Sequence, residues 1–264
     1  LDLQLAGKRA VITGGSRGIG KAIARALAAE GADLVLVVRT QDTLEETALQ
    51  IEAESGRKVI PIIGDTGDDS SVKRFMADAA DQLGGIDILV NNAASGGPGN
   101  YDLAQLTDDL FNRDMNVKVM GYVRCAREAA PYMASTGWGR IINISGLAAR
   151  TTGATITSMR NVAVAALTKN MADELGPQGI NVTVVHPGLT RTEKTPGMIL
   201  RLAERQGLAE NEVEAEMAQR NSVQRFIDAS DIAHVVAFLA SPLSVAISGD
   251  AIAAGGGVGN AIHY

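Results

Sequence analysis

Short apolar runs alternate with longer amphipathic stretches along almost the whole chain. Uninterrupted apolar segments at Ala10–Thr13, Leu34–Val38, Val59–Ile63, Ile86–Asn91, Arg140–Ser145, Asn181–His186 and Ala251–Ala254 predict β-strands. Between them, apolar positions recur at helical spacing over Ile19–Gly31, Thr43–Ser55, Ser70–Leu83, Leu110–Met133, Ser158–Leu175 and Asp231–Leu239. Strands apolar at consecutive positions are buried on both faces. The pattern therefore predicts an α/β fold with a doubly wound parallel sheet of about seven strands, covered by helices on both faces. Gly31-Ala32, Ser55-Gly56 and Gly176-Pro177 mark helix ends where the chain turns back. No linker or fixed-period repeat divides residues 1–264, so a single domain is expected. The Glu-, Arg- and Gln-rich stretch Thr192–Asn221 breaks the alternation, with helical spacing at Met198–Arg205 and Glu212–Arg220. It is expected to be a lid insertion, at about 192–221, over the crevice at the carboxyl ends of the strands.

Composition narrows the function classes. The formal charge of −6 argues against a broad nucleic-acid footprint. One cysteine, Cys125, leaves no intrachain disulfide framework, and His186, His234 and His263 are too far apart for a readable zinc motif. No apolar run reaches the ~18 residues of a membrane span, and no secretory signal is visible. A cytoplasmic protein with a small-molecule ligand, and no metal, membrane or nucleic-acid partner, is the expectation. The small residues Ala126, Ala129, Ala130, Ala163, Ala165 and Ala166 are read as outer helix faces, suited to self-association as a dimer or tetramer.

The first strand runs straight into Thr13-Gly14-Gly15-Ser16-Arg17-Gly18-Ile19-Gly20, which opens a helix. Glycines permit a tight turn and close backbone approach to a pyrophosphate, and the helix points unpaired N–H groups and its positive dipole end at the phosphates. Strand, glycine turn and helix in that order predict a Rossmann-type dinucleotide site. An NAD site usually ends its second strand on an acid that accepts from the ribose 2′-OH, whereas a 2′-phosphate needs cations. Here Leu36-Val37-Val38 ends on Arg39, with Arg17 on the same side, so NADP(H) is expected over NAD(H). Asp42 is near enough in sequence to pair with Arg39 instead.

These residues resemble the short-chain dehydrogenase/reductase (SDR) family over essentially the whole chain. Thr13–Gly20 matches its T-G-x-x-x-G-x-G loop, and Asp65, in Gly64-Asp65-Thr66, its adenine-contacting aspartate. Asn91-Asn92-Ala93-Ala94 is similar to its N-N-A-G element, with Ala94 in place of glycine. Asn116 matches the helix asparagine that holds a water in the proton relay. Pro187-Gly188 followed by Thr192 resembles the segment that meets the nicotinamide and phosphates. The resemblance implies cofactor contacts at Gly14, Ser16, Arg17, Gly18, Ile19, Gly20, Arg39, Asp65, Thr66, Asn92, Ala93, Pro187, Gly188 and Thr192.

At the chemistry the pattern departs from the family, whose members act on carbonyls through a Ser, a Tyr and a Lys. There the lysine lowers the tyrosine pKa, the tyrosine passes the proton and the serine orients the substrate oxygen. Counting back from Ala163–Lys169 places Ser158 at the tyrosine position and Val162 at the lysine position. Four residues after Tyr101, Tyr122 and Tyr132 stand Gln105, Ala126 and Thr136, and Tyr264 ends the sequence, so no Y-x-x-x-K occurs. Ser145 precedes Ser158 by the family's interval (158 − 145 = 13), while matching along the strand puts Gly146 at the serine position. The candidate catalytic set is Asn116, Ser145 and Ser158, with Tyr101 and Tyr122 as other donors; Val162 is not expected to act. His186, beside Pro187 at the sheet's carboxyl end, is read as a packed, hydrogen-bonded side chain. Three functions fit these residues: an NADP(H)-dependent oxidoreductase for a small carbonyl or enone with a non-standard proton donor, an inactive nucleotide sensor or pseudoenzyme subunit, or a non-redox isomerase or lyase.

Overall fold

The expected strands form one sheet in the computed structural model, which describes residues 1–41, 43–94 and 103–259. Strands β1 (Arg9–Thr13), β2 (Asp33–Val38), β3 (Val59–Ile63), β4 (Ile88–Asn91), β5 (Gly139–Ile144), β6 (Ile180–Pro187) and β9 (Ala251–Ala254) lie in the order β3-β2-β1-β4-β5-β6-β9. Every pairing is parallel. The order reverses between β1 and β4, so the β1 and β4 connections leave in opposite directions and open a crevice at their carboxyl ends.

Helices α1 (Gly18–Ala29), α2 (Leu44–Ser55) and α9 (Ala229–Ala240) cover one face through Ile23, Leu27, Ile51 and Val236. On the other face, α3 (Asp69–Leu83), α5 (Gly121–Thr136) and α6 (Thr155–Leu175) pack Phe75, Met76, Ala129 and Met171 against the sheet. Both layers arise because each helix carries an apolar stripe and each strand is apolar on both sides. Among the described residues, no helix is long and apolar enough to cross a membrane.

Three expectations change. The helix expected over Leu110–Met133 is α4 (Asp108–Met115), a wide π-helical turn at Asn116–Met120, and then α5. Such turns shift the facing residues and gather at functional sites. Helix α6 begins at Thr155, three residues before the expected start. Ala126, Ala129 and Ala130 are not an outer face: they are buried under α3, because the π turn resets which side of α5 meets the core.

In the Thr192–Asn221 stretch, α7 (Thr195–Gln206) and α8 (Glu210–Ala218) pack Ile199, Ala203, Val213 and Met217 on Phe226. A short parallel pair, β7 (Thr190–Arg191) with β8 (Ile227–Asp228), holds the base of this helical pair.

Candidate active site

The glycine loop fits closely against the end of β4. Thr13 Oγ1 accepts from the backbone N–H of Asn92 (3.0 Å) and Ala93 (3.1 Å), and Asn92 Nδ2 donates to Thr13 O (3.1 Å) and Gly14 O (3.0 Å). At Gly20 a Cβ would lie 2.1 Å from Gly14 O and 2.6 Å from Asn92 Nδ2. Gly14 has a positive φ of 68°, and its Cβ would fall 2.9 Å from the same amide nitrogen. Only glycine fits either place. The helix therefore begins directly behind the turn, with no acidic residue in its first turn to meet its N–H groups.

A cleft of about 610 Å³ opens beside this loop. Its wall contains Gly14, Ser16, Arg17, Ile19, Thr66, Asn92, Ala93 and Thr192 of the expected cofactor residues, together with Arg39 at the end of β2. Lys194 adds a third cation. Sequence reading missed it, although it stands two residues after Thr192. Among the described residues, the wall carries no carboxylate; Asp42 lies outside them. The glycine cradle and three cations fit an adenine dinucleotide bearing an extra phosphate.

Other expected cofactor residues stand around this cleft rather than on its wall. Gly18 N–H meets both carboxylate oxygens of Glu193, at 3.0 and 3.2 Å. Asp65 is committed to its own turn, its Oδ1 accepting from Gly67 N–H at 2.8 Å. Thr66, on the wall itself, donates through Oγ1 to Val117 O (3.3 Å) across to the π turn. Pro187 ends β6, and Gly188 lies so close to Gly255 that a Cβ would meet its Cα at 2.9 Å.

The expected catalytic residues are bonded to separate partners rather than to one another. Asn116 uses both ends of its amide locally: Nδ2 donates to Gly67 O (2.9 Å), and Oδ1 accepts from Arg124 Nη2 (2.7 Å). Ser158 Oγ donates to Thr151 O at 3.0 Å in the loop before α6. Val162 is 51% exposed and points away from the sheet. The inward face of α6 instead presents Asn161, Val164 and Thr168, all buried, with Thr157 one turn before Asn161. The face that meets β5 is thus one residue out of register with the positions counted from sequence. Tyr101 lies outside the described residues. Tyr122 is buried, its hydroxyl donating to Ile144 O (2.8 Å), and burial pushes its pKa far above the ordinary value.

Ser145 does reach a polar cluster, through a residue that sequence reading passed over. Ser145 Oγ donates to Asn161 O (3.2 Å), and Asn161 Nδ2 donates to Gly146 O (3.3 Å). Into this pair comes Lys118 from the π turn, its Nζ donating to Ser145 O (3.1 Å) and Asn161 Oδ1 (3.3 Å). Lys118 is only 4% exposed, and burial lowers its pKa to about 7. A signal was available in the sequence: Lys118 is the only charged residue between Asp114 and Arg124.

His186, at the end of β6, accepts the Gly146 N–H at Nδ1 (3.4 Å), and burial with nearby Arg150 lowers its pKa to about 4. Its folded pKa lies below the unfolded value of 6.5, so between them the unfolded chain binds the extra proton. The stability present above pH 6.5 is therefore lost as pH falls toward 4. His186→Gln is expected to flatten this acid limb in urea melts by on the order of 1 to 2 kcal/mol, less than the whole shift because solvent screens part of the field. An unchanged acid limb would contradict this assignment.

Comparison with known proteins places this geometry among relatives. The family model described as enoyl-(acyl carrier protein) reductase matches residues 14–259. Short-chain reductase protein NovJ of Streptomyces niveus is 36% identical over 94% of this chain and 92% of its own. NADPH-dependent reductase BacG of Bacillus subtilis is 30% identical, covering 95% of this chain and 97% of its own. The crystal structure of L-sorbose reductase from Gluconobacter frateurii, complexed with NADPH and L-sorbose, superimposes with a TM-score of 0.93. It is 30% identical and covers 99% of this chain and 100% of that one.

Proposed function

The chain belongs to the short-chain dehydrogenase/reductase family, and from that premise we propose that it is an NADP(H)-dependent oxidoreductase for a small carbonyl or enone, without the family's tyrosine–lysine pair. The observation that carries this reading is the cleft wall: Arg17, Arg39 and Lys194, with no carboxylate among the described residues of that wall, beside a cradle that accepts only glycine at Gly14 and Gly20. The NADPH-bound sorbose reductase and the NADPH-dependent BacG support the choice of dinucleotide. When bound, the dinucleotide supplies the hydride; the protein holds, orients and shields.

In this reading the glycine loop and the N-terminus of α1 receive the pyrophosphate, while Arg17, Arg39 and Lys194 receive the 2′-phosphate. Ser145, whose hydroxyl donates to Asn161 O in this structure, turns that hydroxyl to the substrate oxygen at the end of β5. Ser158 and Val162 take no part, since one is bound to Thr151 O and the other faces away. The α7–α8 pair is the lid. The exposed residues of α6 on the side away from the sheet, Met159, Val162 and Ala166, are the face for self-association.

The test is a fluorescence titration with NADPH and NADH, followed by a panel of small ketones and conjugated enones. NADPH is expected to bind at least about tenfold more tightly, a difference of roughly 1.4 kcal/mol, and one substrate class is expected to oxidise it stoichiometrically. Equal or better binding of NADH would remove the argument from the cations. Tight NADPH binding with no turnover would favour the sensor reading.

A further inference from the structure

Lys118 is a buried cation that reaches the carboxyl end of β5. Its aliphatic stem runs through the layer between α5, α6 and the sheet, and its ammonium meets two acceptors, Ser145 O and Asn161 Oδ1. Those acceptors belong to the two elements that form the reacting corner, β5 with its following loop and α6. Among the described residues, no third acceptor meets the ammonium. Burying such a group is costly unless it is paired or used, and both acceptors it meets here are neutral. Nearby, Arg160 Nη1 pairs with Asp114 at 2.7 Å.

We infer that Lys118 is the charged positioning residue of this site, delivering from the π turn the positive charge that α6 lacks at Asn161. The inference rests on the oxidoreductase reading above and deepens it. Lys118 acts through its two acceptors: it fixes the Ser145 carbonyl and the Asn161 amide at the corner where a substrate oxygen gains negative charge on receiving the hydride, before it takes a proton from water. A fixed cation behind that corner opposes the developing charge in a water-poor environment, where such interactions are strongest. The lysine enters the corner because the wide turn at Asn116–Met120 rotates it inward, while Asn116 stays with Gly67 and Arg124.

The charge state follows from the surroundings. Burial foremost, then Arg160 on α6, lowers the Lys118 pKa to about 7 against the opposing pull of Asp114 on α4. His186 on β6, with its pKa near 4, is neutral around pH 7, Arg150 bears on His186 from the loop after β5, and the Tyr122 phenol on α5 stays protonated. The cation is therefore present below about pH 7 and lost above it, so reduction slows as pH rises through neutrality.

The experiment compares wild type, Lys118→Met and Lys118→Arg in NADPH titrations, in steady-state reduction of a panel substrate across pH 5.5–9 (a range of about 3 units around the expected midpoint), and in NMR titration of [ε-13C]lysine-labelled protein without nucleotide. Lys118→Met is expected to bind NADPH within about threefold of wild type, with kcat down on the order of 100-fold, KM little changed and no inflection near neutrality. Lys118→Arg is expected to regain about tenfold of the lost rate on a flat profile, because its charge does not titrate in this range. In the NMR spectra, the resonance missing from Lys118→Met is expected to titrate near pH 7. Wild-type kcat and pH profile in a Lys118→Met protein that binds NADPH would overturn the inference, as would loss of rate with no recovery in Lys118→Arg. Failure of wild type to bind NADPH, or binding with no turnover, would instead overturn the oxidoreductase reading. In that case the NMR titration decides for Lys118 alone, and a midpoint above about 9 overturns its assignment.

Discussion

Gly20→Ala is expected to weaken NADPH binding on the order of 100-fold or more, equivalent to about 2.8 kcal/mol, while the sheet remains folded. The added methyl would sit 2.1 Å from Gly14 O and 2.6 Å from Asn92 Nδ2. Neither neighbour is the free end of a flexible side chain. Gly14 O is backbone, and Asn92 is tied by the same amide to Thr13 O, next to the Thr13 hydroxyl that accepts the Asn92 and Ala93 N–H groups. Relief requires α1 to slide away from the loop, which moves the N–H groups at its start out of register with the phosphate position. Overpacking of this kind costs about 1–3 kcal/mol in stability, so the melting temperature is expected to fall by roughly 2–10 °C. Thermal melts and NADPH fluorescence titration together make the measurement. Binding within about threefold of wild type in the folded variant would show that the cradle is not where the pyrophosphate lies.

The second large effect is expected at Arg39. Arg39→Asp removes one of three cleft cations and puts a carboxylate at the end of β2, where none stands among the described residues of the wall. A carboxylate there repels a 2′-phosphate and accepts from a free ribose 2′-hydroxyl. NADPH affinity is expected to fall on the order of 100-fold, with NADH affinity unchanged or up to about tenfold better, reversing the preference. Arg17 and Lys194 remain, so Lys194→Ala in the wild-type background is expected to act in the same direction by less, about three- to tenfold. If Arg39→Asp weakens both dinucleotides equally, Arg39 holds the loop rather than the phosphate.

Much of the scaffold could be read because its signals are local and repeated. Most strands are rich in consecutive apolar residues, and Thr13–Gly20 combines strand, turn and helix within eight residues. The cations also follow from local order, apart from Lys194. The chemistry was harder because α6 hides its orientation. Its inward face carries the polar Asn161 and Thr168, which are hydrogen-bonded to Gly146 O and to Asn143 Nδ2 from β5, while the apolar Met159 and Val162 face outward. Hydrophobic spacing cannot assign a helix whose polar side chains are buried and whose apolar ones are exposed. Counting by motif then slipped one residue, from Asn161 to Val162. Lys118 was missed for a related reason, since a lysine in a helix usually reads as solvated. Only the π turn, a backbone feature without a sequence period, carries it under the sheet's end.

Glu193 gives the nucleotide end a further property. Its carboxylate already occupies the Gly18 N–H from the residue just before Lys194 and α7. A phosphate that needs this donor must displace an anion belonging to the protein, so loading is an exchange of one negative group for another. The affinity for such a phosphate is then the difference between two attractions for the same N–H. Because the displaced carboxylate belongs to the segment leading into α7, that exchange also releases the tether between α1 and the α7–α8 pair.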